Sequence, residues 1–325
     1  MAEEIARRIL KPLTSADLRK LRYGIDRHPV LGSKDRWVWI APGNVPDPIV
    51  LALHAARVRK AYLTLKLSRK LIRTGRILVR LLGRGLSVKL ITAPSDLGAD
   101  PEAAWIVYGS DATLRTLKAG RRTGAAWVGH GEKFSLSVVL RSASGSLSAA
   151  RRCARDIWLY DQRGCLSPQV VWVQGSPSAA KTFGKNLQRE LLGLWCQHGP
   201  VRRDPEAALA RRAVLDDLTV RALDARKLEW LTAQDEVYAG SPAVYWLKRG
   251  PWPTSATGQV VGVKSFGAVS EFIRAIKPFW RQLQGVAIAG GPRERRIVEH
   301  ALAGSGVAYI AAAGRLQTPP VVWNL

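Results

Sequence analysis

The stretch Arg36-Trp-Val-Trp-Ile-Ala-Pro-Gly-Asn-Val-Pro-Asp-Pro48 holds a strand, its stop and the start of a helix. Aromatic and β-branched residues at 36–40 suit an extended, half-buried strand. Pro and Gly then interrupt the backbone over 41–48, and the apolar-rich run from Ile49 to Val58 reads as the following helix. The same alternation recurs on either side. A helix is expected ahead of Arg36, further strands at Ala61 to Lys66, Ser87 to Thr92, Ala103 to Tyr108 and Ala125 to Val128, a basic helix from about Lys70 to Leu82, and a short helix from Thr113 to Ala119 after the Gly109-Ser110 turn. Strands alternating with helices at this spacing indicate a parallel sheet covered on both faces. Ligands of such sheets bind beyond the carboxyl ends of the strands, so the loops 41–48, 66–69 and 109–113 are expected to converge there. The first half contains no GxGxxG, and the ordinary dinucleotide fingerprint gives that expectation no support.

A second α/β unit is expected to begin near Phe134. Its strands are predicted at Leu136 to Leu140, Gln169 to Gln174, Val260 to Lys264, Gly285 to Ala289 and Val307 to Ala311. A helix is expected to run through about Trp158, another over 178–198, and mostly surface helix over 204–230.

Composition bounds the function. The 325 residues allow two domains, and 47% apolar content with twelve Trp argues against disorder. The N-terminus lacks a signal-peptide core, and no run of about eighteen apolar residues suggests a membrane span. Three cysteines, at 153, 165 and 196, show neither paired-ligand spacing nor a disulfide framework, so a reducing, cytoplasmic setting is expected and no metal site is. The formal charge is +25, with eleven basic residues from Arg57 to Lys89 and no acid between Asp47 and Asp96. Such a field attracts polyanions, although charged helix faces are also commonly just solvated.

Cys165 follows a glycine between a helix and a strand. A thiolate there can attack a thioester and hold the acyl group covalently, and a helix starting near Leu166 would favour the thiolate through its free amides. The competing reading is a buried, inert thiol, which fits Cys153 and Cys196 better because both lie in helical stretches. Asn44, in its Pro-Gly-Asn-Val-Pro loop, can donate to an oxyanion together with the Cys165 N–H, or can simply stabilise the turn. Lys66 and Ser68 end a strand where an ammonium and a hydroxyl can meet a ribose or the 2′-phosphate of NADPH. Gly109-Ser110 opens a helix N-terminus that can receive a pyrophosphate, or serves as a plain cap. His130 and Glu132 are candidate acid–base groups in a glycine-rich junction, and His54 reads as an ordinary helix residue.

These motifs together resemble the LuxC-type long-chain acyl-CoA reductases, a branch of the aldehyde dehydrogenase superfamily. Tyr160-Asp-Gln-Arg-Gly-Cys-Leu-Ser-Pro-Gln169 resembles the nucleophile segment, Ala41-Pro-Gly-Asn-Val-Pro46 the oxyanion loop, Leu65-Lys-Leu-Ser68 and Val107-Tyr-Gly-Ser-Asp-Ala-Thr113 the cofactor-binding strand ends, Val128-Gly-His-Gly-Glu-Lys-Phe-Ser135 the interdomain hinge, and Ala313 to Trp323 a family-like end segment. The resemblance implies an aldehyde dehydrogenase-like α/β fold: a parallel-sheet NADP(H) domain over 1–133, a smaller α/β catalytic domain over 134–312 and a shortened tail over 313–325. It implies Cys165 as nucleophile with Asn44 beside the oxyanion, and Lys66, Ser68, Gly109, Ser110 and Thr113 at the cofactor. The implied reaction is NADPH-dependent reduction of a fatty acyl-CoA or acyl-carrier thioester to the aldehyde. A homo-oligomer and an acyl-transferring protein partner are implied as well. Reduction of an acyl phosphate, or a degenerate member that binds nucleic acid or another polyanion, are the competing functions, nucleic acid being the less favoured partner.

One departure from the superfamily points the same way. Oxidising members carry a general-base Glu just before the hinge glycines, and this chain has Ala126-Trp-Val-Gly129 there. Reduction is therefore expected over oxidation to the acid. Other departures are an abbreviated N-terminal region, an end at Leu325 where the family continues, and the surplus basic charge of 57–89.

Overall fold

The computed structural model describes residues 13–319 apart from 94, 96, 98, 99, 101, 121–124, 202, 225 and 250–256. The expected end segment is described as far as Pro319, and positions 320–325 lie outside the described residues. The chain divides into two compact units, with the boundary between Glu132 and Lys133.

The first unit opens with helix α1 (Ser15–Arg27), started by a capping box in which Asp17 N–H donates to Thr14 Oγ1 at 3.1 Å and Thr14 N–H donates to Asp17 Oδ2 at 3.0 Å. Strand β1 (Arg36–Ile40) follows, then α2 (Asp47–Arg59), β2 (Tyr62–Lys66), α3 (Ile72–Leu82), β3 (Val88–Ile91), β4 (Ala104–Tyr108), α4 (Asp111–Gly120) and β5 (Trp127–His130). The five strands are parallel in the order β3-β2-β1-β4-β5. Because strand side chains alternate, Trp37 and Trp39 enter one buried layer with Leu63 and Leu65, while Val38 and Ile40 enter the opposite layer with Trp105 and Val107. Both faces of this sheet are thus covered, as a near-continuously apolar parallel sheet requires.

The second unit contains β6 (Phe134–Val139), α5 (Leu147–Trp158), β7 (Pro168–Gln174), α6 (Pro177–His198), α7 (Pro205–Ala222), β8 (Leu228–Trp230), α8 (Gln234–Tyr238), β9 (Ala243–Leu247), β10 (Val260–Phe266), α9 (Val269–Ile276), β11 (Leu283–Ala289), α10 (Pro292–Leu302) and β12 (Tyr309–Ala312). Its order is β12-β11-β6-β7-β10-β9-β8, parallel except for the antiparallel edge strand β8. Ser176 and Asp204 cap α6 and α7, each with a proline at the first helical position. The second unit was expected to be the smaller, but among the described residues it holds seven strands against five: β8 lies at the end of the stretch expected to be mostly surface helix, and β9 lies beyond it where no element was expected.

Candidate active site

The carboxyl edge of the first sheet gathers the three loops anticipated there. Ile40 pairs with Lys66 on one side, and β1 pairs with β4 on the other, so the strand order reverses between β1 and β4. That reversal leaves the crevice in which open α/β sheets bind ligands. Asn44 is exposed in the bend between β1 and α2. Gly43 lies against Ser68: a Cβ at position 43 would stand 2.8 Å from the Ser68 hydroxyl and would have to turn it aside. Lys66 is half-buried, and burial followed by the neighbouring Arg69 guanidinium holds its ammonium below the ordinary lysine range.

Ser110 caps α4. Thr113 N–H donates to Ser110 Oγ at 3.2 Å, the two hydroxyls lie 3.0 Å apart, and Gly109 packs against the Thr113 side chain. Asp111, in the same first turn, accepts from the Glu132 N–H at 3.1 Å. The cap reading is therefore realised at Ser110. His130 stacks on Tyr108 with ring centroids 4.3 Å apart, which gives it a packing contact at the end of β5. His54 is half-buried on α2, and burial, then Arg57, lowers its pKa.

In the second unit Cys165 occupies a turn closed by Ser167 N–H donating to the Gly164 carbonyl at 2.9 Å. No helix starts at Leu166. Pro168 and the β-branched run after it enter β7 directly, so the helix-terminus activation expected of Cys165 does not arise. Cys165 is partly exposed and in no disulfide. It sits at the amino end of β7, beside the amino end of β6 where the chain enters this unit.

The turn is tied from four directions. Ser135 Oγ donates to the Cys165 carbonyl at 2.7 Å, and Gln162 Nε2 to the Pro168 carbonyl at 2.8 Å. Leu166 is buried over β11, where a Cβ at Gly285 would meet Leu166 at 2.9 Å, Ser135 at 3.0 Å and Leu316 at 3.1 Å. Gln317 Nε2 donates to Ser167 Oγ at 3.1 Å and to the Asp156 carbonyl at 2.8 Å. The Asp156 carboxylate accepts in turn from Gly314 N–H at 2.6 Å and Leu316 N–H at 3.1 Å, which brings the expected family-like end segment onto the thiol turn. Burial pushes the Asp156 carboxyl up to about 7 against the pull of those hydrogen bonds.

Just before the turn, Tyr160, Asp161 and Gln162 all adopt positive φ of 59°, 54° and 58°. Each such non-glycine residue costs roughly 1 kcal/mol or more. A bidentate pair offsets that cost: Arg203 donates to Asp161 at 2.8 and 2.7 Å, with both side chains nearly sealed from water. Arg211 lies beside them with its guanidinium donating to the carbonyls of Gly258, Val237 and Ser241. Burial, then the Arg203 charge, lowers its pKa to about 10.

The other cysteines differ from Cys165. Cys153 is fully buried, and burial followed by the Asp156 charge pushes its thiol up to about 12, as an inert core cysteine requires. Cys196 is exposed on α6, so the buried reading expected for it does not hold, because its helix position faces solvent. Ser135, Asp156, Arg203, Gly285 and Gln317 were not anticipated at the site. Glycine inside the apolar strand at 285 is the one local signal that marked a close approach.

The sequence model of the family described as acyl-CoA reductase (LuxC) matches residues 95–321, a span that includes the whole thiol turn and its supports. The chain belongs to that family. No curated protein matches this LuxC-family chain in sequence. Among solved structures it is similar to the NAD-bound Δ-pyrroline-5-carboxylate dehydrogenase of Mycobacterium tuberculosis, with a TM-score of 0.66 and 17% identity over 91% of this chain and 62% of that one. It is also similar to a betaine aldehyde dehydrogenase of Staphylococcus aureus in complex with NAD+, with a TM-score of 0.68 and 15% identity over 86% and 60%. These likenesses show an aldehyde dehydrogenase-like fold. The LuxC-family chain spans about three fifths of the length of those structures. Among the described residues, no helix is long and apolar enough to cross a membrane, and no cluster of three or more metal-ligating side chains occurs.

Proposed function

We propose that this protein reduces a fatty acyl thioester, carried by coenzyme A or an acyl-carrier protein, to the aldehyde through an acyl-Cys165 intermediate, with NADPH as reductant. The observation that carries this reading is the Cys165 turn: a partly exposed thiol in a turn held by Ser135, Gln162 and Gln317 inside the span matched by the reductase family.

In the first step the Cys165 thiolate attacks the acyl carbonyl. A C–S bond forms, negative charge gathers on the carbonyl oxygen, and the thiol carrier leaves as the C–S bond to it breaks. The amide of Asn44 and the N–H of Cys165 take the role of oxyanion donors in this reading. In the second step the acyl carbon is reduced, the bond to Cys165 breaks, and aldehyde departs with the thiolate restored. NADPH supplies the hydride for that reduction when bound.

The residues of the first unit fit such a cofactor. Lys66 and Arg69 are like charges at the end of β2; burial first and then Arg69 depress the Lys66 ammonium, and a phosphate-bearing ligand offsets both. Ser68 and the Gly109 to Thr113 turn lie on the same sheet edge and complete the proposed cofactor set. β5 carries no carboxylate where oxidising members of the superfamily place their general-base Glu, and this supports reduction over hydrolysis of the acyl-enzyme in this reading. A homo-oligomer, an acyl-transferring protein partner and a cytoplasmic setting belong to the same proposal.

The test supplies matched long-chain acyl-CoA and acyl phosphate with NADPH or NADH and quantifies aldehyde. Aldehyde from the thioester, dependent on Cys165, is the expected result. Aldehyde from the acyl phosphate alone would overturn the thioester assignment, and none from either would overturn the enzymatic reading.

A further inference from the structure

Helix α3 turns Gly75 and Leu78 into the first unit and leaves Arg73, Arg76, Ile77, Arg80 and Leu81 exposed, with Arg84 just past its end. Steps of three and four residues place these side chains on one stripe. Ile77 and Leu81 are 49% and 54% exposed, which is unusual for branched aliphatics one turn apart. None of the four arginine side chains has an ion pair or hydrogen bond among the described residues. Arg73 sits in the first turn of α3, where a cation opposes the helix dipole, so helix stability does not account for it.

The chemistry of the stripe selects among anionic partners. An ordinary solvated face interleaves both charge signs, and this segment has no acid from 48 to 95. A nucleic-acid face uses aromatic or amide side chains to stack on bases or read their edges, and the stripe carries neither. Guanidinium groups flanking exposed aliphatic side chains match an anionic bilayer surface, where the aliphatics enter the headgroup boundary and the cations meet lipid phosphates.

We propose that the exposed stripe of α3 docks the protein peripherally on an anionic lipid surface. This rests on the helix face alone and stands or falls independently of the chemistry at Cys165.

The experiment is flotation of the full-length protein with vesicles of phosphatidylcholine alone or mixed with phosphatidylglycerol, at low and high salt. Binding is expected only with phosphatidylglycerol and is expected to fall with salt. Arg76→Gln with Arg80→Gln is expected to weaken it roughly thirty-fold, and Ile77→Ser with Leu81→Ser is expected to abolish what persists at high salt. Circular dichroism and thermal unfolding followed in parallel report that each variant is folded. The proposal is overturned if wild-type protein ignores phosphatidylglycerol, if both double variants bind as wild type does, or if duplex RNA displaces the vesicles and binds the Ile77→Ser, Leu81→Ser variant undiminished. The wild-type lipid comparison decides even if a variant misfolds.

Discussion

The hydroxyl of Ser135 donates to the main-chain carbonyl of Cys165 across 2.7 Å, joining the first residues of the second unit to a turn thirty positions later. Ser135 is fully buried, and Ser135→Ala removes this hydrogen bond from the turn. A loss of about 1–3 kcal/mol in stability is expected, together with slower acylation of Cys165. Denaturant unfolding and single-turnover acylation check the two parts, and an unchanged acylation rate would refute the positioning role.

Gly285 tests the packing beneath the same turn. A methyl group there would press on the side chains of Leu166, Ser135 and Leu316 at about 3 Å, all of them buried, so the packing beneath the turn has to give. Gly285→Ala is expected to destabilise by roughly 1–3 kcal/mol and to reduce acylation more than cofactor binding. Retention of full acylation activity would show that the core yields elsewhere.

Arg203 holds the left-handed run that precedes Cys165. Arg203→Ala would strand the buried Asp161 carboxylate, and a loss of about 3–5 kcal/mol is expected. Replacing both partners, Asp161→Asn with Arg203→Met, is expected to recover part of that loss. Thermal unfolding of the three proteins gives the comparison, and equal losses for the single and double variants would contradict the pairing argument.

Asp156 predicts a pH dependence. Its folded pKa, raised to about 7, lies above the unfolded value near 4, so the folded state binds the proton more tightly. The favourable contribution is present at low pH, declines as pH rises from about 4 to about 7, and is flat above. Wild-type stability relative to Asp156→Asn is therefore expected to fall over that window. A rise with pH in the same comparison would reverse the assignment.

Much of the first unit was legible because its signals are local. Alternating strands, Pro and Gly stops and the order of loops identify a parallel sheet, and the carboxyl-edge placement of Asn44, Lys66 and Ser110 follows from that topology. The thiol turn was less legible. Ser167-Pro168 resembles a helix start, but the β-branched residues beyond it pair in a sheet. Nothing in Tyr160-Asp-Gln162 announces three left-handed residues, since no glycine is present and the Arg203 that pairs with Asp161 lies 42 positions away. Asp156 and Leu316 are joined over 160 positions, a contact no local pattern encodes. Strand β9 was missed because a five-residue buried run between charged segments carries too little periodicity.

The most direct measurement is the intact mass of the protein after brief exposure to a long-chain acyl-CoA, followed by NADPH. A single thiol-sensitive acyl adduct on wild type, absent from Cys165→Ser and released as aldehyde when NADPH is added, is the expected result. No adduct with any chain length, or an adduct that persists in Cys165→Ser, would contradict the assignment of Cys165 as the acyl-carrying nucleophile.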